Sequence, residues 1–314
     1  MERNIIKIDE AGLKDDLKTL IRGTVEDTLN AMLDEEAASL CNAERHERSE
    51  GRSKIEEWRN RPLSGEYPYV FVDGIYLKRS WGGEMASVSV LVAIGVNGEG
   101  YREILGAAEG ASESKECWKS FLKSLKGVRL FTSDKHLGFL ESASEVFPDA
   151  RWQRCAVHFF RNVFTKVPRN RFPAVAALLK ATYAQEDREA TLAKTRDVER
   201  KLRDMKLSSA ADVYAKGVGE TLTYLEFPHE HWRNIRTNNI LERLNREIRR
   251  RTRVVGCFPD GESALMLVCA RLRHVASKEW GTKRYLNMKH LYELEKENEL
   301  KREQEKHGKK VNVA

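Results

Sequence analysis

The chain has 314 residues, 41% of them hydrophobic and 33% charged, enough for one large domain with an insertion or for two smaller ones. Its 55 Lys and Arg stand against 48 Asp and Glu, and a formal charge of +7 with a pI near 9.1 favours a polyanionic partner, because neutralised phosphates release their counterions. Five scattered cysteines without a C-x-x-C pair argue against a disulfide framework or a tetrathiolate zinc site and for a reducing cytoplasm. No apolar run reaches the roughly 18 residues of a membrane span, and the first residues lack the plan of a signal peptide.

In chain order, Leu13, Leu17, Leu20, Ile21, Val25, Leu29, Met32 and Leu33 recur at three- and four-residue steps, so an N-terminal helical segment is expected over 1–42. The charged stretch 43–65, with Glu44 to Arg52 lacking any apolar period, reads as a linker. From Glu66 the pattern turns to strands. Tyr69-Val70-Phe71-Val72 is a first short strand ending at Asp73-Gly74, and 75–81 and 86–96 are a second and third around Gly82-Gly83. Asn97-Gly98 signals a hairpin into Tyr101–Leu105, and Ser112 opens a helix through Leu125. Val128–Thr132 is a strand ending at Ser133-Asp134, with a helix to Val146 and a strand over Arg151–Arg154 after it. Antiparallel strands followed by alternating strand and helix predict an α/β fold, a mixed sheet with helices on its faces.

Residues 66–164 and 234–290 are thus two parts of one domain, separated by an all-helical insertion over 165–233 that has Pro173 at a helix start. The segment 234–253 is a strongly basic helix, 262–277 a more apolar one, and 291–314 a charged, fraying helix or tail.

Asp73 and Asp134 each follow an apolar strand, where carboxylates project from a sheet edge and sites form in α/β folds. Glu242 lies in Asn238-Asn239-Ile240-Leu241-Glu242-Arg243-Leu244-Asn245 at the start of the basic helix. Three carboxylates converging from separate elements suit two Mg²⁺ or Mn²⁺ ions, which prefer oxygen ligands and can activate both oxygens of a phosphodiester displacement. Taken singly, each acid also fits an ordinary surface role, and Asp-Gly is a common turn. Arg243, Arg246, Arg250 and Arg253 share a broad helical face, with Arg249 beside them, and suit phosphate binding. Trp232 reads either as a stacking platform for an unpaired base or as core packing. Cys155-x-x-His158 reads as half a zinc site with no second pair, or as core packing. His136 stands two residues from Asp134 and reads as a neighbouring or surface group that could assist protonation.

The stretch from Trp58 to His290 resembles the bacterial insertion-sequence transposases of the mutator type. The resemblance rests on Glu66–Gly74, Val90–Val96, Thr132-Ser133-Asp134, Trp152–Phe159 with Arg161-Asn162, Thr237-Asn238-Asn239 with Leu241-Glu242-Arg243, and Glu247–Gly256. It implies an RNase H-like fold with a helical insertion before the last acid. It implies that Asp73, Asp134 and Glu242 are the D-D-E catalytic and metal-binding triad, with no small-molecule cofactor. It implies that Cys155 and His158 shape the site around the flanking DNA strand, a structural or positioning role. Transposon ends and target DNA are the implied partners of a homo-oligomer in the bacterial cytoplasm at the nucleoid, with no membrane association.

Such transposases also carry a helix-turn-helix-like segment that reads the terminal inverted repeats. Here the family-like sequences on either side of Arg52/Ser53 meet without it, so an internal-deletion junction is expected there, with a smaller contraction at Leu125–Gly127. Three functions follow: a transposase that cleaves and transfers strands, an internally deleted derivative that is inactive or interferes with longer subunits, and an RNase H-like nuclease that only hydrolyses.

Overall fold

The computed structural model describes residues 50–81, 84–110, 119, 121–135, 137–255, 258, 261–277 and 281–311. The helix expected over 10–42, most of the helix expected from Ser112, His136 and the turn at Pro259-Asp260 lie outside these residues.

Five strands form one sheet in the order β3-β2-β1-β4-β5, with β1 at Tyr69–Trp81, β2 at Glu84–Val96, β3 at Arg102–Gly110, β4 at Leu130–Ser133 and β5 at Arg151–Arg154. The pairs β1–β2 and β2–β3 are antiparallel, whereas β1–β4 and β4–β5 are parallel. The mixed α/β sheet expected from the pattern is therefore present. The two strands expected on either side of Asp73 are one: β1 continues through Asp73-Gly74, because the β-branched and aromatic alternation resumes at Ile75.

Alternation along β1 assigns its side chains to two cores. Tyr69, Phe71, Ile75 and Leu77 pack into one, and Val70 and Val72 into the other. The second core is closed by α2 (Leu137–Val146), through Phe139 and Ala143, and by Leu122, Leu125 and Val128. The turn at the expected contraction is held by Gly127, whose φ of +64° suits glycine and whose backbone lies against Glu66. β4 is buried along its whole length, as a short strand covered on both faces must be.

The first core is larger. It takes α3 (Ala156–Phe164), the helices α4 (Phe172–Thr182), α5 (Arg188–Asp204) and α6 (Ser208–Gly217), then a short α7 (Trp232–Ile235), α8 (Asn239–Val255) and α9 (Gly261–Ala276). Pro173 stands in the first turn of α4, and Asp187 caps α5 by accepting the Ala190 amide at 2.7 Å. The all-helical stretch before Glu242 is thus as expected. Gln153 of β5 ties it to the sheet, donating to the Thr221 carbonyl at 2.8 Å and accepting the Tyr224 amide at 2.9 Å.

One stretch differs from the sequence-based expectation, and the charged C-terminal one keeps to it. Within the expected linker, Glu50–Arg59 is a helix, α1, which spans Arg52/Ser53. It buries Ile55 and packs against α9, an anchoring that a charge count does not reveal. The charged C-terminal stretch is a helix, α10 (Lys289–Val311), anchored by buried Leu291 and by Arg129, which pairs with Glu295 at 2.7 Å. No helix among the described residues is long and apolar enough to cross a membrane.

Candidate active site

β4 is much shorter than its neighbour β1 and pairs with it only at Tyr69–Phe71. Beyond that point β4 no longer pairs with β1; the Val72 carbonyl accepts a hydrogen bond from Asn238 Nδ2 at 3.1 Å and the Lys78 carbonyl one from the Phe258 amide at 3.0 Å. Asp73 follows at once. Its sequence context predicts the end of a strand; it lies inside one, opposite Val92, but beside the end of β4. Asp134 is the first residue after β4, and its Oδ1 accepts the Lys135 amide at 2.7 Å. Parallel pairing therefore brings both carboxylates to the same edge. Glu242 joins them from the first turn of α8, where negative charge suits the positive end of the helix dipole. That helix is anchored by its apolar stripe, Ile240, Leu241, Leu244 and Ile248, on the first core.

All three acids line one cleft of about 700 Å³, with Gly74, Tyr76, His158, Arg161, Asn162, Asn245, Arg246, Arg249 and Arg250. Each carboxylate meets a hydrogen-bond donor. Asp73 takes the Gly74 amide at 3.0 Å on one oxygen and Asn245 Nδ2 at 2.7 Å on the other. Arg161 Nη2 donates to Glu242 Oε1 at 3.0 Å, and His158 Nε2 stands 3.8 Å from the same oxygen. Among the described residues no three acidic, histidine or cysteine side chains lie close enough together to hold a metal ion in this conformation. Like charges repel, and here each carboxylate is held by its own donors. Three carboxylates lining one cleft with no thiolate are nevertheless donors of the kind a hard divalent cation prefers.

Cys155 and His158 separate in role. Cys155 is fully buried, and its Sγ accepts the amide of Asn238 at 3.2 Å. Burial pushes its thiol pKa up, so it is a neutral packing group that pins the start of α8 to the end of β5. The Ala156 amide adds a second tie, to the Arg236 carbonyl at 3.1 Å. His158 one turn on faces the cleft, and its Nδ1 is buried without a hydrogen-bond partner among the described residues. Cys155 and Cys269 are both buried free thiols, and burial raises the Cys269 pKa to about 11.

Not every residue expected at the site is there. The basic helix begins at Asn239 rather than at 234, after the separate turn of α7. Of its arginines, Arg246, Arg249 and Arg250 line the cleft; Arg243 does not, and its charge instead acts on Arg102. The side chain of Arg253 lies outside the described residues. Trp232 does not line the cleft either: its Nε1 donates to the Phe227 carbonyl at 2.7 Å and its ring meets Tyr224 edge-on at 5.4 Å, so it is a packing residue. Asn245 and Tyr76 do not stand out in the sequence as site residues. Asn245 has one signal that could have found it, since it stands three residues after Glu242 and shares its helical face.

The chain is similar to known proteins over much of its length. It is 39% identical over 240 residues to the transposase for insertion sequence element IS1081 of Mycobacterium tuberculosis, covering 74% of this chain and 58% of that protein. It is 37% identical over 259 residues to the transposase for IS406 of Burkholderia multivorans, covering 76% and 64%. To the transposase for IS256 in transposon Tn4001 of Staphylococcus aureus it is 34% identical over 242 residues, covering 74% and 62%. The chain thus spans less than two thirds of the length of these relatives. A solved Drosophila P element transposase strand transfer complex aligns over 76% of this chain and 72% of that one with 9% identity and a TM-score of 0.26, too distant to inform the fold. The family model for "Transposase, Mutator family" matches residues 52–282, a span that holds all three cleft acids, and the chain belongs to that family.

Proposed function

We propose that this chain is the catalytic core of a DNA transposase that cleaves strands at the ends of an insertion sequence and transfers them to target DNA. The observation that carries this reading is the convergence of Asp73, Asp134 and Glu242, from β1, β4 and α8, on one cleft walled by Arg246, Arg249 and Arg250. Three antiparallel strands followed by two parallel ones, with helices on both faces, support an RNase H-like reading of the fold.

In this mechanism Asp73, Asp134 and Glu242 would hold divalent cations, Mg²⁺ or Mn²⁺. When bound, these supply activation of the attacking oxygen and neutralisation of charge on the leaving oxygen. The chain's own groups do the rest. Asn245 fixes the rotamer of Asp73, and Arg161 holds Glu242 on the cleft wall. The arginines of α8 take the phosphates on either side of the scissile bond and offset the repulsion between DNA and three acids. Cleavage is attack by water on a phosphodiester, releasing a 3′-hydroxyl. Transfer is attack by that hydroxyl on a second phosphodiester, one P–O bond forming as another breaks. Both need the attacking and leaving oxygens in line, which a preorganised cleft on rigid elements favours. We assign the chain to the bacterial cytoplasm at the nucleoid, acting as a homo-oligomer on DNA.

The test replaces Asp73, Asp134 and Glu242 singly by Ala in the full chain. Each variant should fold and bind DNA as before, while Mg²⁺-dependent cleavage and strand transfer fall by at least about 10³-fold, as for loss of an essential group. Normal chemistry in any one variant removes that residue from the triad. Cleavage without joining in the unaltered protein makes it a nuclease instead.

A further inference from the structure

We infer that Tyr76 forms a subsite for an unpaired nucleobase next to the carboxylates. This rests on the reading of the cleft as a DNA site. Among the described residues four large apolar side chains are exposed: Tyr76, Leu192, Tyr292 and Leu300. Tyr292 is accounted for by its hydroxyl, which donates to the Gly98 carbonyl at 3.1 Å. Leu192 and Leu300 are aliphatic and lie on helices away from the cleft. Tyr76, 53% exposed, is the one of the four that lines the cleft.

Its setting suits a flat ligand. Tyr76 stands on β1 directly opposite Ser89 of β2, so the backbone beneath it is held in an antiparallel ladder. Its neighbours on the same face of the strand are Gly74, which has no side chain to cover the ring, and Lys78, which is exposed. Among the described residues, a Cβ built at Gly74 would meet one atom within 4 Å, Ser89 Oγ at 3.6 Å. That Ser89 hydroxyl is buried and has no hydrogen-bond partner among the described residues. A ring with an open flank therefore shares one cleft with the carboxylates and with Arg246 and Arg249. A base in a continuous duplex hides both faces in the stack. The ring can be covered only by a base that is unpaired or extruded, and such stacking does not depend strongly on which base it is. The stacking role that the sequence suggested for Trp232 belongs instead to Tyr76.

The experiment compares the full chain with Tyr76→Phe, Tyr76→Ala and Arg249→Ala. Binding is measured by fluorescence anisotropy on three labelled DNA probes: a blunt duplex, the same duplex with a two-nucleotide single-stranded overhang, and that overhang with an abasic residue. 2-Aminopurine in the overhang reports stacking by quenching. Tyr76→Ala should weaken overhang binding by about 5- to 100-fold, abolish the quenching and leave blunt-duplex binding within twofold. The abasic probe should lower the wild-type affinity by a similar factor and the Tyr76→Ala affinity no further. Tyr76→Phe should keep both affinity and quenching. Arg249→Ala should weaken all three probes alike. The subsite is refuted if Tyr76→Ala binds the overhang as tightly as wild type, or loses blunt duplex and overhang equally. If the unaltered chain binds none of the probes, the DNA reading itself fails, and the subsite with it.

Discussion

Asp73 spends one carboxylate oxygen on the neighbouring Gly74 amide and the other on Asn245, which is buried beneath the cleft. A carboxylate gripped at both oxygens loses rotamer freedom before any cation arrives, and such supporting hydrogen bonds matter to metal sites nearly as much as the ligands. Asn245→Ala should therefore lower strand cleavage by about 10–100-fold and raise the Mn²⁺ concentration needed for half-maximal activity. The unfolding midpoint should stay within a few degrees of wild type. An unchanged Mn²⁺ dependence would show that Asn245 is merely packed there. The acids themselves can be picked out in the sequence because they sit in distinctive local strings, and their partners cannot. Arg161 is on α3 and Glu242 on α8, and the ties from the Asn238 amide to Cys155 Sγ and from the Ala156 amide to the Arg236 carbonyl bring these helix starts together. The same applies to Cys155 and His158: their spacing suggests a common role, yet one faces the core and the other the cleft.

Among the elements, α8 carries the largest difference between what a helical wheel shows and what the fold uses. Glu242, Asn245, Arg246 and Arg249 recur at three- and four-residue steps and meet the cleft together, while Ile240, Leu241, Leu244 and Ile248 set the rotation of the helix by burial. Burying four such side chains is worth about 1.5–3 kcal/mol each, more than any single arginine pairing at the surface, so the apolar stripe decides which arginines face the cleft. Arg250 is partly engaged, pairing with Glu247 at 3.2 Å. On the proposed function, Arg246 and Arg249 are then the arginines expected to take phosphates. Replacing either by Ala should flatten the slope of log K against log salt by about 0.9 for each phosphate left unneutralised, measured by anisotropy between about 50 and 200 mM salt. Arg243→Ala, on the side facing Arg102, should leave the slope unchanged. Equal effects of all three would remove the distinction drawn from the cleft. The Asn97-Gly98 signal likewise locates a hairpin correctly but misplaces its constraint. The positive φ, +93°, belongs to Gly100, whose carbonyl accepts the Tyr285 amide at 2.8 Å from a segment far along the chain.

At the scale of the molecule, one buried histidine joins the sheet to the C-terminal helix. Tyr69 Oη lies 2.8 Å from His231 Nδ1, and His231 Nε2 lies 2.9 Å from the Asn287 carbonyl, just before α10. The carbonyl can only accept, so Nε2 carries the proton and Nδ1 accepts from the tyrosine. Burial lowers the His231 pKa, with His290 nearby adding to the fall and the Asn287 carbonyl and Glu230 opposing it. The folded protein then holds its proton more weakly than the unfolded chain. Stability from this residue is fully present above about pH 6.5 and is lost as the pH drops below that value. In urea titrations between pH 7.5 and 5, a span of roughly two units about the histidine pKa, wild type should lose stability faster than His231→Gln, by at most about 1.4 kcal/mol per pH unit. Parallel curves would mean that other groups carry the acid response.

By itself the sequence determined the alternation of strands, the all-helical stretch before Glu242, the family, and which three acids would meet in one cleft. These depend on periodicity and on short contiguous strings, which local chemistry writes into neighbouring residues. Tertiary structure decided that 50–59 is an anchored helix rather than a linker, that Asp73 sits within a strand, that Arg243 and Trp232 stand outside the cleft and that Tyr76 stands inside it. Each of these depends on where one element ends against another, such as β4 stopping beside Phe71. A strand's own residues fix its two faces, but whether its edge is covered or open is set by the length of its neighbour.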